Sequence, residues 1–202
     1  HWGVKENDFG VICGPCHAEE VAMERLSYLT IACQVNDTAK MMSAALNGRF
    51  LKTTLSDDIY GTEYGAILKN VIAVCAGISV GLGYGDNFRA VLVSRAIQEI
   101  ARFVQAVHPI DRDINEPAYL GDLLVTCYSL FSRNRTFGNL IGKGYSVMAA
   151  QLELSMVAEG YNASRCIHMV NQEILAEMPI AETIYQILWK QLPPSRGFEL
   201  IE

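Results

Sequence analysis

Apolar residues follow two different patterns along this chain. In the first 57 residues, short apolar runs alternate with amphipathic segments, and from Ile59 onward apolar residues recur every three or four positions. The first pattern is typical of strands that alternate with helices, and the second is typical of helices alone. The sequence therefore predicts strand–helix–strand–helix–strand up to residue 57, followed by an all-helical segment.

Local signals divide these two parts into elements. Strands are predicted within 8–14, 28–34 and 49–58, and helices within 15–26 and 36–47, the first with Pro at its start and two Glu in its first turns. Later helices are predicted at about 64–82, 86–107, 119–131, 134–141, 146–159 with a restart near residue 162, and 180–191. The predicted fold class is mainly α: a small, incomplete α/β unit over residues 1–57 precedes an all-helical domain over 58–202.

Composition excludes several classes of protein. Half of the chain is apolar, and the net charge is −6, with no basic run. Nucleic acid is therefore not an expected partner. The longest charge-free stretch, 70–85, has 16 residues and falls short of the roughly 20 that span a bilayer, so no transmembrane segment is expected. The first ten residues lack a signal-peptide core, and a start at His suggests a segment excised from something larger.

The cysteines and glycines predict little chemistry. The chain has six cysteines and no secretory signal, so we expect reduced, buried thiols. Cys13 and Cys16 have the spacing of a zinc or redox pair, but there is no second pair, and we expect no metal site. Cys16 and His17 are neighbours and point in different directions, and His108 and His168 lack a spaced partner. The glycine cluster at 81–87 is interpreted as a turn that ends a helix.

Three polar groups stand out against the apolar pattern. Lys69 lies in the most apolar helix, where it must either extend to the surface or sit in a pocket as an acid–base group. Asp122 enters another apolar helix, with Thr126 one turn later on the same face; it either complements the helix dipole or accepts a hydrogen bond from a substrate or from Lys69. The segment 132–135, Ser-Arg-Asn-Arg, is either an anion site at a helix start or a solvated helix end.

Five blocks of sequence carry a family resemblance. In order they are GPCHAEEVA (14–22), GAILKNVIAVCAGISVGLGYGDN (65–87), GDLLVTC (121–127), SRNRTFG (132–138) and VAEG (157–160). Together they resemble the NAD(P)-dependent glycerol-3-phosphate dehydrogenase family over most of the chain. The resemblance implies that family's helical C-terminal substrate domain, preceded by the last strands and helices of its Rossmann-like nucleotide-binding domain.

The resemblance also implies residue roles. Lys69 matches the catalytic lysine, which exchanges a proton with the oxygen on C2 of the substrate. The residues implied at the substrate, where the SRN group holds its phosphate, are Gly14, Cys16, Asn70, Asp122, Thr126, Ser132, Arg133 and Asn134. Those implied at NAD or NADP are Ala18, Arg133, Val157 and Glu159. Cys16 departs from the usual Ser or Thr, and the loop INEPAYLGDL departs from the usual glycine-rich approach to Asp122.

The expected function is the reversible, cytoplasmic reduction of dihydroxyacetone phosphate to glycerol 3-phosphate for phospholipid synthesis. The chain alone is expected to be inactive, because the first half of the nucleotide-binding domain lies outside it; whether the protein is a homodimer stays open. The alternative is a non-catalytic helical interaction or dimerisation domain. A buried Lys69 that faces Asp122 and Arg133 favours the enzyme, whereas an exposed Lys69 more than about 15 Å from Arg133 favours the alternative.

Overall fold

The structure is a computed structural model that describes residues 9–154 and 156–202. Within these residues there are one three-stranded sheet and ten α-helices, two of them between the strands and eight after the last strand, which confirms the predicted fold class. The strands are β1 Val11–Cys13, β2 Ser27–Ala32 and β3 Leu51–Ser56. The helices are α1 Ala18–Ala22, α2 Asn36–Leu46, α3 Ile59–Gly81, α4 Asp86–Val107, α5 Asp122–Tyr128, α6 Arg133–Gly142, α7 Val147–Glu153, α8 Glu159–Ile174, α9 Pro179–Lys190 and α10 Pro194–Glu199.

The sheet has the order β1-β2-β3 and mixed strand directions. β2 and β3 run parallel and are joined by α2, as in a βαβ unit. β1 runs antiparallel to β2, with Ile12 opposite Ile31. Ile31, Cys33 and Ala39 form a small core between the sheet and α2. The end of β1 is thereby directed toward the helical domain.

Helix α3 is the central element of the helical domain. The segment from Val71 to Ser79 is buried without interruption, and α4, α5, α6, α8 and α9 all pack against the helix. By length and composition α3 could cross a membrane, yet 61% of its most apolar window is buried inside the fold. Its apolar character is therefore accounted for by its position in the core, where it contacts other helices on most sides.

Four glycines bring α3 and α6 into backbone contact. Gly77 and Gly81 on α3 face Gly138 and Gly142 on α6, and a Cβ added at any of the four would meet backbone atoms of the other helix. Such small-residue faces allow two helix axes to approach more closely than larger side chains permit. The relative position of α3 and α6 is consequently fixed by their main chains.

Several predicted boundaries were correct and others were wrong. Helix α4 confirms the prediction over 86–107. Helix α3 begins at Ile59 rather than at residue 64, because Asp58 caps it by accepting from the amide of Gly61 at 2.9 Å. The helix predicted over 119–131 is instead a π-helical turn, Pro117–Gly121, followed by α5, which ends at Tyr128.

Toward the C-terminal end, two further predictions were wrong. The helix predicted over 146–159 ends at Glu153, and α8 starts at Glu159. No helix was predicted after residue 191, but α10 lies there, with Pro194 in its first position. Two residues of predicted elements, Asp8 of the first strand and Ser155 of the 146–159 helix, lie outside the described residues.

Candidate active site

Lys69 does not extend into solvent. Its Nζ lies 2.6 Å from Oδ2 of Asp122, and the two side chains are 20% and 3% exposed. The partners come from different helices, α3 and α5, and are 53 residues apart in sequence. A buried ion pair of this kind holds the ammonium group in one place, with part of it still open to a ligand.

Asp122 has further partners that fix its carboxylate. The backbone amide of Gly14 donates to Oδ2 at 3.2 Å, so the end of β1 reaches the same oxygen as Lys69. The hydroxyl of Thr126 donates to the backbone carbonyl of Asp122 at 2.6 Å and lies 3.4 Å from its Oδ1. Gly14 has φ +128°, and a Cβ there would lie 2.9 Å from the carbonyl oxygen of Tyr28. The close approach to Asp122 therefore requires glycine.

Asn70, the residue after Lys69, begins a second set of hydrogen bonds. Its Oδ1 accepts from Nδ2 of Asn134 at 2.9 Å, and Oδ1 of Asn134 accepts from the amide of Gly160 at 2.8 Å. The Asn70 amide group donates to the carbonyl of Ala66 at 3.2 Å and lies 3.4 Å from Oε2 of Glu159. Three helices, α3, α6 and α8, thus meet beside Lys69.

The start of α6 supplies hydrogen-bond donors next to this set. Ser132 is the N-cap, and its Oγ accepts from the amide of Arg135 at 3.3 Å, which leaves its own proton for another acceptor. The side chain of Asn134 donates one hydrogen bond to Asn70 and accepts one from Gly160, and its backbone N–H lies in the first turn of α6. Arg133 is 45% exposed and 3.9 Å from Glu159. These groups suit a small anion such as phosphate.

Of the residues expected at the cofactor, Arg133 and Glu159 lie at the exposed edge of this set. Glu159 begins α8, and its side chain is 64% exposed. Val157 lies just before that helix and is 68% exposed. Ala18 begins the five-residue helix α1, on the side of the α/β unit.

Cys13 and Cys16 lie near the ion pair but are not reactive thiols. Burial, together with the negative charge of Asp122, raises the pKa of Cys13 to about 11. Burial also raises the pKa of Cys16, partly offset by a hydrogen bond from Ser27. The described residues contain no group of three His, Cys, Asp or Glu that could hold a metal ion. All six thiols are free, but Cys16 is only half-buried and Cys166 is exposed, contrary to the expectation that all six are buried.

Sequence reasoning missed two contributors to the site. Gly160 supplies the amide that holds Asn134, and an added Cβ there would lie 2.5 Å from the carbonyl oxygen of Asn70. Met156 contacts Arg133, with Sδ 3.5 Å from its NH1. For Gly160, the one signal in the sequence is a glycine at the second position of a helix. The sequence carries no signal that Met156 contacts Arg133.

Known sequences similar to this chain share one description. Residues 58–199 match the family model described as the C-terminus of NAD-dependent glycerol-3-phosphate dehydrogenase. A glycerol-3-phosphate dehydrogenase [NAD(P)+] from an Exiguobacterium species is 40% identical over 190 residues, which are 94% of this chain and 56% of that protein. One of the same name from Staphylococcus carnosus is 35% identical over 95% of this chain and 58% of that protein. The chain thus spans little more than half the length of these curated relatives.

Solved structures extend the comparison to the fold. A glycerol-3-phosphate dehydrogenase from Coxiella burnetii superposes with a TM-score of 0.92 at 33% identity, over 96% of this chain and 60% of that one. A second, from Saccharomyces cerevisiae, superposes with a TM-score of 0.85 at 27% identity, over 96% and 59%. The fold and these matches define the class: residues 58–199 are the helical C-terminal part of a dehydrogenase. Within that class, the chain belongs to the NAD-dependent glycerol-3-phosphate dehydrogenase family.

Proposed function

We propose that the protein containing this chain reversibly reduces dihydroxyacetone phosphate to glycerol 3-phosphate, with NADH or NADPH as the reductant. The observation that carries the proposal is the junction at Lys69 and Asn70. One residue is paired with a buried carboxylate and the next is joined to the start of α6. Two adjacent residues of one helix therefore hold both parts of the site: Lys69 is the proton-transferring group, and Asn70 fixes the start of α6, whose hydrogen-bond donors can bind an anion.

The side chains divide the chemistry between them. In the reduction direction, Lys69 donates a proton to the oxygen on C2, and it accepts one in the oxidation direction. Asp122 orients the Lys69 ammonium group through their contact in a largely buried setting. Ser132, Arg133 and the first-turn amides of α6 hold the phosphate, which fixes C2 at a set distance from Lys69.

The residues around the site fit a dinucleotide on its open side. Arg133 and Glu159 offer a guanidinium and a carboxylate to solvent beside Asn70, and this donor and acceptor set matches amide and ribose hydroxyl groups. Glu159, Arg133, Val157 and Ala18 are the residues that would hold it. When bound, the dinucleotide supplies or receives the hydride at C2.

The geometry favours this function over a non-catalytic interaction domain. Lys69 is largely buried and faces Asp122, and Asn70 and Asn134 connect its helix to Arg133's helix. A domain that only associates with a partner has no need of a buried ion pair such as Lys69–Asp122. A dehydrogenase for a substrate without phosphate is also disfavoured, because the anion donors of α6 would have no partner.

Replacing Lys69 with Met in the full-length protein tests the proposal. We expect kcat to fall by at least about 100-fold, the scale of general acid–base catalysis, while the circular dichroism spectrum stays unchanged. Lys143→Met, at the exposed C-terminal end of α6, is the matched control and should leave kcat unaltered. Oxidation of NADH or NADPH is followed with dihydroxyacetone phosphate and with unphosphorylated dihydroxyacetone. Activity of Lys69→Met within about threefold of the unaltered protein would refute the role of the lysine.

A further inference from the structure

The position of Asp122 depends on the short turn that precedes it. The π-helical turn Pro117–Gly121 leads directly into α5, whose first residue is Asp122. The backbone of a π-helical turn has an unusual hydrogen-bond pattern, so contacts with the surrounding side chains help to hold the turn in place. The contacts of this turn therefore decide where the partner of Lys69 lies.

Tyr119, in the middle of the turn, is anchored to α3 at two points. Its ring lies against Gly65, where an added Cβ would be 3.3 Å from Cδ1 of the ring. Its hydroxyl donates to Oδ2 of Asp58 at 2.5 Å. Gly65 is one helical turn before Lys69, and Asp58 caps the same helix. Tyr119 is 4% exposed, so both contacts are shielded from water.

The acceptor of this hydrogen bond is itself fixed. Arg112 binds Asp58 through Nε at 2.7 Å and NH2 at 3.2 Å, and the two side chains are 7% and 5% exposed. Arg112 also donates to the carbonyl of His108 at 3.0 Å and to Oε1 of Gln105 at 3.1 Å. The segment from 112 to 119 is thus tied at both ends to one buried carboxylate, and charge-assisted hydrogen bonds of the kind that Arg112 makes are the stronger ones.

The phenol is held as a hydrogen-bond donor. Burial raises the pKa of Tyr119 well above its ordinary value, and the hydrogen bond to the Asp58 carboxylate raises it further. The proton therefore remains on the tyrosine oxygen throughout the range in which a dehydrogenase works.

We propose that Tyr119 is a positioning residue, which sets Asp122 relative to α3 and so aims the Lys69 ammonium group at its working position. The path is short. Tyr119 fixes the turn against Asp58 and Gly65, the turn fixes Asp122 three residues later, and Oδ2 of Asp122 holds both Lys69 and the amide of Gly14. Tyr119 itself acts only through Asp122. The expected change in kcat rests on the proposed function, whereas the expected change in hydrogen exchange at Gly14 does not.

The experiment compares Tyr119→Phe with Tyr185→Phe in the full-length protein. Tyr185 is a buried tyrosine of α9 that stacks on His168, so it controls for loss of a buried hydroxyl. Hydrogen exchange is measured by mass spectrometry on peptides that contain Gly14, 105 residues from the substitution. We expect exchange there to be about 3- to 10-fold faster in Tyr119→Phe, the scale of one weakened hydrogen bond, and unchanged in the control.

Steady-state kinetics supply the second measurement. In Tyr119→Phe, kcat should fall about 10- to 100-fold, since sub-ångström displacement of a reacting group has effects of this size. KM for dihydroxyacetone phosphate should stay within about twofold, because the anion donors are carried on α6 rather than on the turn. A rise in KM with kcat unaltered would overturn the proposal, and so would unchanged exchange at Gly14.

A second variant covers the case in which Tyr119→Phe does not fold. Arg112→Gln weakens the same anchor from the other side of Asp58 and should accelerate exchange at Gly14 in the same direction. If it folds and leaves that exchange unchanged, Tyr119 and Asp58 do not position Asp122. If the unaltered protein turned over no dihydroxyacetone phosphate, the proposed function would fail, while the exchange comparison would still decide the positioning role.

Discussion

Substituting Gly138 with Ala should separate the two halves of the candidate site. An added Cβ would meet the carbonyl of Val74 and lie 2.9 Å from the amide nitrogen of Ile78, both on α3. Because these are backbone atoms, they cannot rotate away. Nonbonded contact is comfortable only beyond about 3.5 Å, and the contact with the carbonyl is the tighter of the two, so α6 must move from α3 by about an ångström or more. That movement carries the hydrogen-bond donors at the start of α6, which are proposed to bind the phosphate, away from Lys69.

The size of the effect follows from two opposing terms. Overpacking costs about 1–3 kcal/mol, and the backbone contact places this case at or above the upper end. Alanine recovers about 1 kcal/mol of helix propensity, which leaves a net destabilisation of roughly 2 kcal/mol. The midpoint of thermal unfolding should then fall by about 4–8 °C, and kcat/KM by about tenfold or more.

A calorimetric scan and steady-state kinetics on the full-length protein measure both quantities. Gly48→Ala is the control, since an added Cβ there has no neighbour within 4 Å. If Gly138→Ala unfolds at the same temperature as the control and keeps its kcat/KM, the close backbone contact between α3 and α6 is refuted.

Two other substitutions test the anion site and the Asp58 anchor. Arg133→Ala should raise KM for dihydroxyacetone phosphate about 10- to 150-fold, because charged hydrogen bonds are worth roughly 1.5–3 kcal/mol; Arg49→Ala is the control, and an unchanged KM would remove Arg133 from the phosphate site. Burial raises the pKa of Asp58, but hydrogen bonds from its partners outweigh this, so its folded-state pKa lies below 3.8. Asp58 therefore stabilises the fold above that pH and loses this contribution as the pH falls through the folded-state value. Denaturation should show Asp58→Asn less stable than the unaltered protein at pH 7, with a difference that shrinks below about pH 4. The exposed Asp86→Asn should show no such convergence.

Local sequence signals predicted some elements well because the determinants are local. Helix α4 has Asp in its first turn and a regular apolar spacing, and both lie within the segment itself. The start of α3 was missed although Asp58 is a good capping residue, since the acid could equally end the preceding strand. The antiparallel pairing of β1 was not predictable, because strand direction depends on contacts outside each strand.

The candidate site divides in the same way. The residue types at 69, 122 and 132–134 marked where chemistry was expected, and the family resemblance assigned them roles. Whether Lys69 reached solvent or a pocket could not be decided from its own helix, because Asp122 is 53 residues away. The inward use of the Asn134 side chain was equally hidden, since its acceptor and its donor lie on two other helices.

The contact between Gly14 and Asp122 limits how freely the two parts of the chain can be recombined. It joins residues 108 positions apart. The donor is a main-chain N–H, so the hydrogen bond cannot be recognised from a polar side chain at position 14. Most substitutions would keep the N–H but could not adopt a φ of +128°. A chimera that exchanges the α/β unit for that of a relative would therefore retain a correctly oriented lysine partner only if the donated unit also ends its first strand in a glycine of this conformation. The geometry of this site therefore depends on both parts of the chain rather than on the helices alone.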